Sequence, residues 1–297
     1  MNTTTLSYTK TGFNHPMMWP ALFIVMWSSG YVAGKLALPY AGPFTLLFLR
    51  FSVAAAVLLV VAALTKAPWP KSPAAWGHLV VVGLLIQALQ FSGLYYGLSH
   101  GVSAGVSALI VGLMPAFTAI GAVWLLDERM TRGRVAGLAL GLLGVLTVVF
   151  NKISLDGGST VAYGAVLLAL TGITLGTLYQ KKFCGGMDLR TGGFVQLTVA
   201  SLVAVVLAVI HEGLQVQWTP ALVGSSLWLS LVNSIGAISV LFLLMRRGEA
   251  SRVAGLFYLI PSVTALMGFA VLNEALTFTQ IVGFALSAGG VYLTTRK

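Results

Sequence analysis

The sequence predicts an all-α integral membrane protein of ten transmembrane helices, built as two inverted five-helix repeats. Three observations carry this: a composition that only lipid can solvate, an ungapped internal repeat, and a one-sided distribution of basic residues. Apolar residues make up 58% of the chain and charged residues 8%, whereas a water-soluble globule carries about a quarter charged residues. The stretch Ala104–Val145 recurs 146 residues later as Ala250–Val291. It pairs Leu113 with Leu259, Pro115 with Pro261, Thr118-Ala119 with Thr264-Ala265, Glu128 with Glu274, Thr131 with Thr277, Gly137 with Gly283, Ala139-Leu140 with Ala285-Leu286 and Gly144 with Gly290. A match this long is a duplication.

At 1.5 Å per helical residue, about 20 apolar residues cross roughly 30 Å of hydrocarbon. Ten such runs follow one another: Trp19–Leu38, Phe44–Leu64, Trp76–Leu98, Ser103–Leu126 and Gly133–Phe150 in the first half, then Thr160–Gln180, Gly192–Ile210, Leu222–Leu244, Ala250–Leu272 and Phe278–Thr295. Short polar or proline-containing breaks separate them, among them Pro39–Pro43, Lys66–Pro73, Asp127–Arg132, Ser154–Ser159 and Glu212–Pro220. Loops of this length hold no soluble domain.

Cytoplasmic loops retain Lys and Arg, which tests the helix count independently. If ten helices alternate, one side holds Lys10, Lys66, Lys71, Arg129, Arg132, Arg134, Lys181, Lys182, Arg190, Arg246, Arg247, Arg252, Arg296 and Lys297. The other holds Lys35 and Lys152, and Arg50 lies within a span, which accounts for all 17 basic residues. Both termini are therefore expected in the cytoplasm. The net charge of +10 reflects topology; a nucleic-acid binder would cluster its basic residues on a folded surface.

Five helices per repeat is an odd number, so the second copy enters the membrane upside down. The domains are a cytoplasmic tail, 1–16, retained rather than cleaved, then repeats 17–150 and 151–297. An inverted pair puts a substrate site near the midplane between the halves and supplies two related conformations open to opposite sides. That is the logic of alternating access. The single Cys184 excludes an intrachain disulfide and a multi-cysteine metal site, and no metal or other cofactor is expected.

Ten helices in two such repeats, with Trp27-Ser28-Ser29-Gly30 in helix 1, Pro43 to Arg50 entering helix 2, Asp127-Glu128 after helix 4 and Asn273-Glu274 after helix 9, resemble the EamA family of the drug/metabolite transporter superfamily. Within it the chain is most similar to the YddG-type exporters of aromatic amino acids in bacterial inner membranes. The resemblance implies a central cavity ringed by helices 1, 3, 4, 6, 8 and 9, with the bilayer and a small-molecule substrate as partners.

Polar residues deep in a span are costly unless they face protein or water, so they are the first candidates for a substrate path. Helix 3 carries Gln87 and Gln90, with Phe91 and Leu94 on the same face; helix 8 carries Asn233 and Ser234; helix 6 carries Thr171, Thr174 and Thr177. Gln87 and Asn233 either line a cavity or bond between helices. Trp27, Tyr31, Phe91, Tyr95 and Tyr258 suit an indole or phenyl ring, or are core aromatics. Arg50 could take a substrate carboxylate bidentately or brace helix 2, and Lys35 stands at the end of helix 1 with the same two readings. Pro115 and Pro261, at matched mid-span positions, are hinge candidates. The repeat itself says nothing of substrate, which rests on residues that break its symmetry, Gln87 and Trp27 above all.

A membrane-embedded enzyme would need a metal cluster, a nucleophile with its base, or paired acids; Asp127-Glu128 has no His or Cys companion and repeats as Asn273-Glu274. Phosphorylated anions call for several converging cations, and lipophilic cations for a buried acid. A neutral or zwitterionic aromatic solute fits best, with a multidrug or organic-cation exporter of the same superfamily as the alternative.

All seven acidic residues, Asp127, Glu128, Asp156, Asp188, Glu212, Glu249 and Glu274, lie in loops or at span ends, so the usual intramembrane proton carrier is missing. Substrate efflux from preloaded proteoliposomes should proceed without a pH gradient; a strict requirement for one would refute export driven by the substrate gradient alone.

Overall fold

A computed structural model describes residues 18–126, 132–156, 159–240, 244, 257 and 259–295. Among them the only β pairing is an isolated bridge between Ala41 and Val216. Everything regular is helix: α1 (Met18–Ala37), α2 (Pro43–Leu64), α3 (Pro73–Ser99), α4 in two pieces (Ala104–Val111 and Met114–Leu126), α5 (Arg132–Asp156), α6 (Thr160–Phe183), α7 (Leu189–Glu212), α8 (Pro220–Val240), α9 (Leu259–Leu272) and α10 (Phe278–Thr295). Five of these, α2, α3, α6, α7 and α8, are long and apolar enough to cross a membrane.

The helix starts are chemically marked. The hydroxyls of Ser72, Ser103, Ser159 and Thr219 each accept a backbone N–H three residues on, at 3.2–3.3 Å, which satisfies one of the orphan donors of a first turn. Pro73 and Pro220 follow their caps at the position where a missing N–H costs nothing. Asp188 caps α7 at Arg190 N, 2.9 Å. Bonding to the Arg190 guanidinium holds this carboxyl down at about 2.

Two helices take their caps from distant acids. Gly42 before α2 has no side chain, and the carboxylate of Glu212, at the far end of α7, accepts from Phe44 N and Thr45 N at 2.8 Å and from Thr45 Oγ1 at 2.5 Å. A Cβ on Gly42 would lie 2.3 Å from that carboxyl carbon. Glu274 does the same for α4, accepting from Ala104 N at 3.0 and 3.1 Å. Asn273 ends α9 with a positive φ of 54°, a left-handed turn that Asn tolerates, and Glu274 N bonds back to Gly268 O at 3.2 Å. Of the acids expected at span ends, Asp188, Glu212 and Glu274 are helix caps; Asp127, Glu128 and Glu249 lie outside the described residues.

Two pairs of equivalent helices, α5 with α10 and α2 with α7, pack antiparallel. Gly144 of α5 lies against Gly283 and Ser287, while Gly290 of α10 lies against Gly137 and Gly141. Shifting one contact by the repeat separation produces the other, so the α5–α10 seam is its own image. Ser287 Oγ donates across it to Gly141 O, 3.3 Å. Between α2 and α7, Ser52 and Ser201 hydroxyls meet at 2.7 Å while Glu212 reaches the start of α2.

The structure departs from expectation in two places. Helix 4, expected unbroken over Ser103–Leu126, is interrupted at Gly112-Leu113, where Leu113 N bonds Ile110 O at 3.2 Å and Ala116 N bonds Leu113 O at 3.0 Å. These tight three-residue steps lie on either side of Pro115, which has no N–H to continue the ladder. Pro261 stands in the described part of α9; residues 250–256 and 258 of its expected span lie outside the described residues. The second departure concerns Gln87, expected to break the repeat. Gly83–Leu89 and Trp228–Ala237 are π-helical turns inside α3 and α8, and the repeat separation carries one onto the other, putting Gln87 on Asn233.

An ideal Cβ on Gly290 would sit 2.4 Å from Gly137 O and Gly141 N, backbone atoms that cannot give way. Gly290→Ala should destabilise the detergent-purified protein by about 1–3 kcal/mol, read as a lowered Tm. Gly164→Ala, with nothing within 4 Å, should leave Tm unchanged.

Candidate functional site

A cavity of ≈650 Å³ of empty space, mouth included, opens between α1, α2, α3, α6 and α8. The tetrapeptide of helix 1 is explained by it. Trp27 lines the cavity and packs edge-on against Phe257 with centroids 5.5 Å apart. Ser28 Oγ donates to Ile260 O at 3.4 Å, and Ser29 Oγ accepts Trp228 Nε1–H at 2.8 Å, tying α1 to α9 and α8. Gly30 is bare because Asn233 lies over it, with Nδ2 2.6 Å from where a Cβ would stand. Asn233 Nδ2 in turn donates to Met26 O at 2.5 Å.

Arg50 is the electrostatic centre. It is 4% exposed, yet among the described residues no acid lines the cavity and it makes no ion pair. Its Nε donates to Ser234 Oγ at 2.9 Å and its Nη1 to Tyr95 OH at 3.0 Å. The guanidinium carbon lies 4.3 Å from the centroid of Phe91, a cation–π contact. Phe51 meets Phe91 edge-on at 5.6 Å, and Ser230 Oγ donates to Arg50 O at 3.0 Å. These contacts fix the head group but not its charge. Among the described residues Nη2 makes no hydrogen bond, so its two N–H bonds have no acceptor there.

The structure brings Trp27, Tyr31, Gln87, Gln90, Phe91, Tyr95, Asn233, Ser234 and Arg50 together around this one cavity. Tyr258 lies outside the described residues. Lys35 is elsewhere: its Nζ is 2.6 Å from Glu274 Oε1 and 3.3 Å from Val102 O, so it fastens α1 to the α9–α10 turn. Pro115 and Pro261 are not in the wall either; Pro261 borders a smaller void with Gly112 and Ser287. Helix 6 contributes Ile173 rather than its threonines. Thr171 bonds its own Leu167 O at 3.0 Å, and Thr174 is buried with no partner. Ile173 is the repeat equivalent of Trp27, a signal that extending the repeat to helices 1 and 6 would have supplied. The apolar lining of Ile86 and Ile238 carries no sequence mark beyond helical spacing.

The model of the EamA-like transporter family matches residues 16–150 and again 160–296. The chain belongs to the EamA-like transporter family. It is accordingly a multi-pass membrane protein and a transporter. It is 30% identical over 282 residues to the uncharacterized transporter YvbV of Bacillus subtilis (strain 168), covering 93% of this chain and 90% of that one. It is 27% identical to a probable amino-acid metabolite efflux pump of Salmonella typhimurium and to one of Escherichia coli (strain K12), each alignment covering 92% of both chains. A crystal structure with 18% identity superposes with a TM-score of 0.64 over 94% of this chain and 97% of its own, which speaks to fold alone. For this EamA-like transporter the cavity between the repeats is the candidate path.

Tyr95→Phe removes the acceptor of the Arg50 Nη1 bond while keeping the ring. Leaving that buried charged donor unpaired costs about 1–3 kcal/mol, so the Tm of the purified transporter should fall; an unchanged Tm would show that Arg50 is held by its other contacts.

Proposed function

We propose that this transporter exports aromatic amino acids, or similar small amphipathic metabolites, by alternating access across a bacterial inner membrane. The observation that carries the reading is a buried Arg50 guanidinium with no counter-carboxylate among the described residues, set in an aromatic wall. An unpaired buried cation is costly, and a substrate carboxylate on Nη2 repays it with a charge-assisted bond. Trp27, Tyr31, Phe91 and Tyr95 offer edges and faces to an indole or phenyl ring. The multidrug alternative is disfavoured by the same residue, because an organic cation would meet a fixed positive charge and no acid.

In this reading the chain has ten spans, with repeats at 17–150 and 151–297 inverted about an axis in the membrane plane and both termini cytoplasmic. The antiparallel seams between equivalent helices, α5 with α10 and α2 with α7, support the inversion. The probable amino-acid metabolite efflux pumps among the relatives support the substrate class. The break at Gly112-Leu113 before Pro115, with Pro261 as its counterpart, is where the repeats would flex between outward and inward forms. Among the described residues no carboxylate lines the cavity, and export follows the substrate gradient without tight proton coupling.

Cells expressing the protein should gain resistance to toxic aromatic amino-acid analogues, and Trp27→Ala or Gln87→Ala should abolish it while folded protein still reaches the membrane. Protection against organic cations alone would overturn the choice of substrate.

A further inference from the structure

The cavity wall holds a second unmet demand besides Arg50. Gln90 is 3% exposed and Asn233 8%; both line the cavity, and each keeps an amide oxygen, Gln90 Oε1 and Asn233 Oδ1, with no hydrogen-bond partner. For Asn233 the orientation follows from its other end, since Nδ2 donates to Met26 O and a carbonyl there would face a carbonyl. A buried acceptor left unpaired costs about 1–3 kcal/mol, and in low dielectric the cost is fully felt. Two such acceptors in the wall that also holds an unpaired guanidinium nitrogen form a pattern of opposite polarity: free donors on α2, free acceptors on α3 and α8.

We infer that Gln90 and Asn233 are the ammonium-reading residues of the site, so that the cavity selects a substrate carrying both a free α-carboxylate and a free α-ammonium. This rests on the reading of the cavity as the path of an aromatic amino acid, and it specifies how the polar head of that solute is read. The carboxylate bonds Arg50 Nη2, and the ammonium donates to the two amide oxygens. Neutral oxygens suit this task because a carboxylate in their place would pair with Arg50 and cancel the cation that holds the other end of the substrate. A monocarboxylate leaves both oxygens unpaired. An amine without a carboxylate meets the Arg50 charge with nothing to offset it. A zwitterion alone satisfies every group without adding net charge to the cavity.

The test is counterflow of labelled tryptophan by the full chain in proteoliposomes, competed with tryptophan, indole-3-propionate, which lacks the amine, and tryptamine, which lacks the carboxylate. In the wild type tryptophan should compete about 10–100-fold better than indole-3-propionate, the range that losing hydrogen bonds to a charged group implies, and tryptamine should not compete. In Gln90→Met that preference should collapse toward parity, a selectivity change that a packing role would not produce. Indole-3-propionate matching tryptophan in the wild type would overturn the inference and leave the exporter reading intact, as would a Gln90→Met protein that weakens both ligands alike or neither. Uptake driven by tryptamine and not by tryptophan would overturn both. The wild-type ranking decides the matter even if the variant fails to fold.

Discussion

A polar group withdrawn into an apolar helical bundle has no water to bond, so it must find its partner in the protein or in the substrate. Most of this architecture follows from how that demand is met. The first turns of α2 and α4 would leave donors exposed, and the carboxylates of Glu212 and Glu274, arriving from the ends of other helices, accept them. Those acids are therefore bound to structural work at helix termini. Lys35 completes one of these clusters by pairing with Glu274. The same accounting leaves the oxygens of Gln90 and Asn233 unmatched and, among the described residues, gives Arg50 Nη2 no acceptor, and these residues line one cavity.

Close approach of backbones provides the scaffold. Along the α5–α10 seam Gly137, Gly141, Gly144, Gly283 and Gly290 let helices touch with almost no side chain between them, and the absence of bulk replaces the apolar driving force that lipid removes. Because the contact maps onto itself under the repeat separation, one optimised interface serves both halves. The π-helical turns obey the same relation. A π turn rotates the residues after it relative to an α-helix, and here it sets Gln87 and Asn233 at equivalent stations, one on each side of the cavity.

The symmetry is broken where specificity is needed. Trp27 corresponds to Ile173, so one half presents an indole where the other presents an alkyl group. Arg50 corresponds to Gln196, so a single cation faces a cavity that equal halves would have given two or none. The resulting site has one charged end and a broad apolar body, which is the shape of an amphipathic solute.

The sequence by itself determined the class of solvent, the helical content, the duplication and most of the cavity wall: with so few polar residues inside spans, Gln87, Gln90, Asn233, Ser234 and Arg50 stood out individually. What it left open was partnership. Lys35 and Arg50 carried the same two readings, and only the packing of helices 239 and 184 residues apart sent the first to Glu274 and the second to Ser234. Local periodicity reports which face of a helix is apolar; it carries no information on the azimuth at which another helix docks. For the same reason nothing in the sequence marks Ile173 above the threonines of α6, and the break before Pro115 is hidden inside an apolar run. Tertiary structure decided these because hydrogen bonds require a particular atom within about 3 Å, a condition set by rigid-body packing rather than by composition.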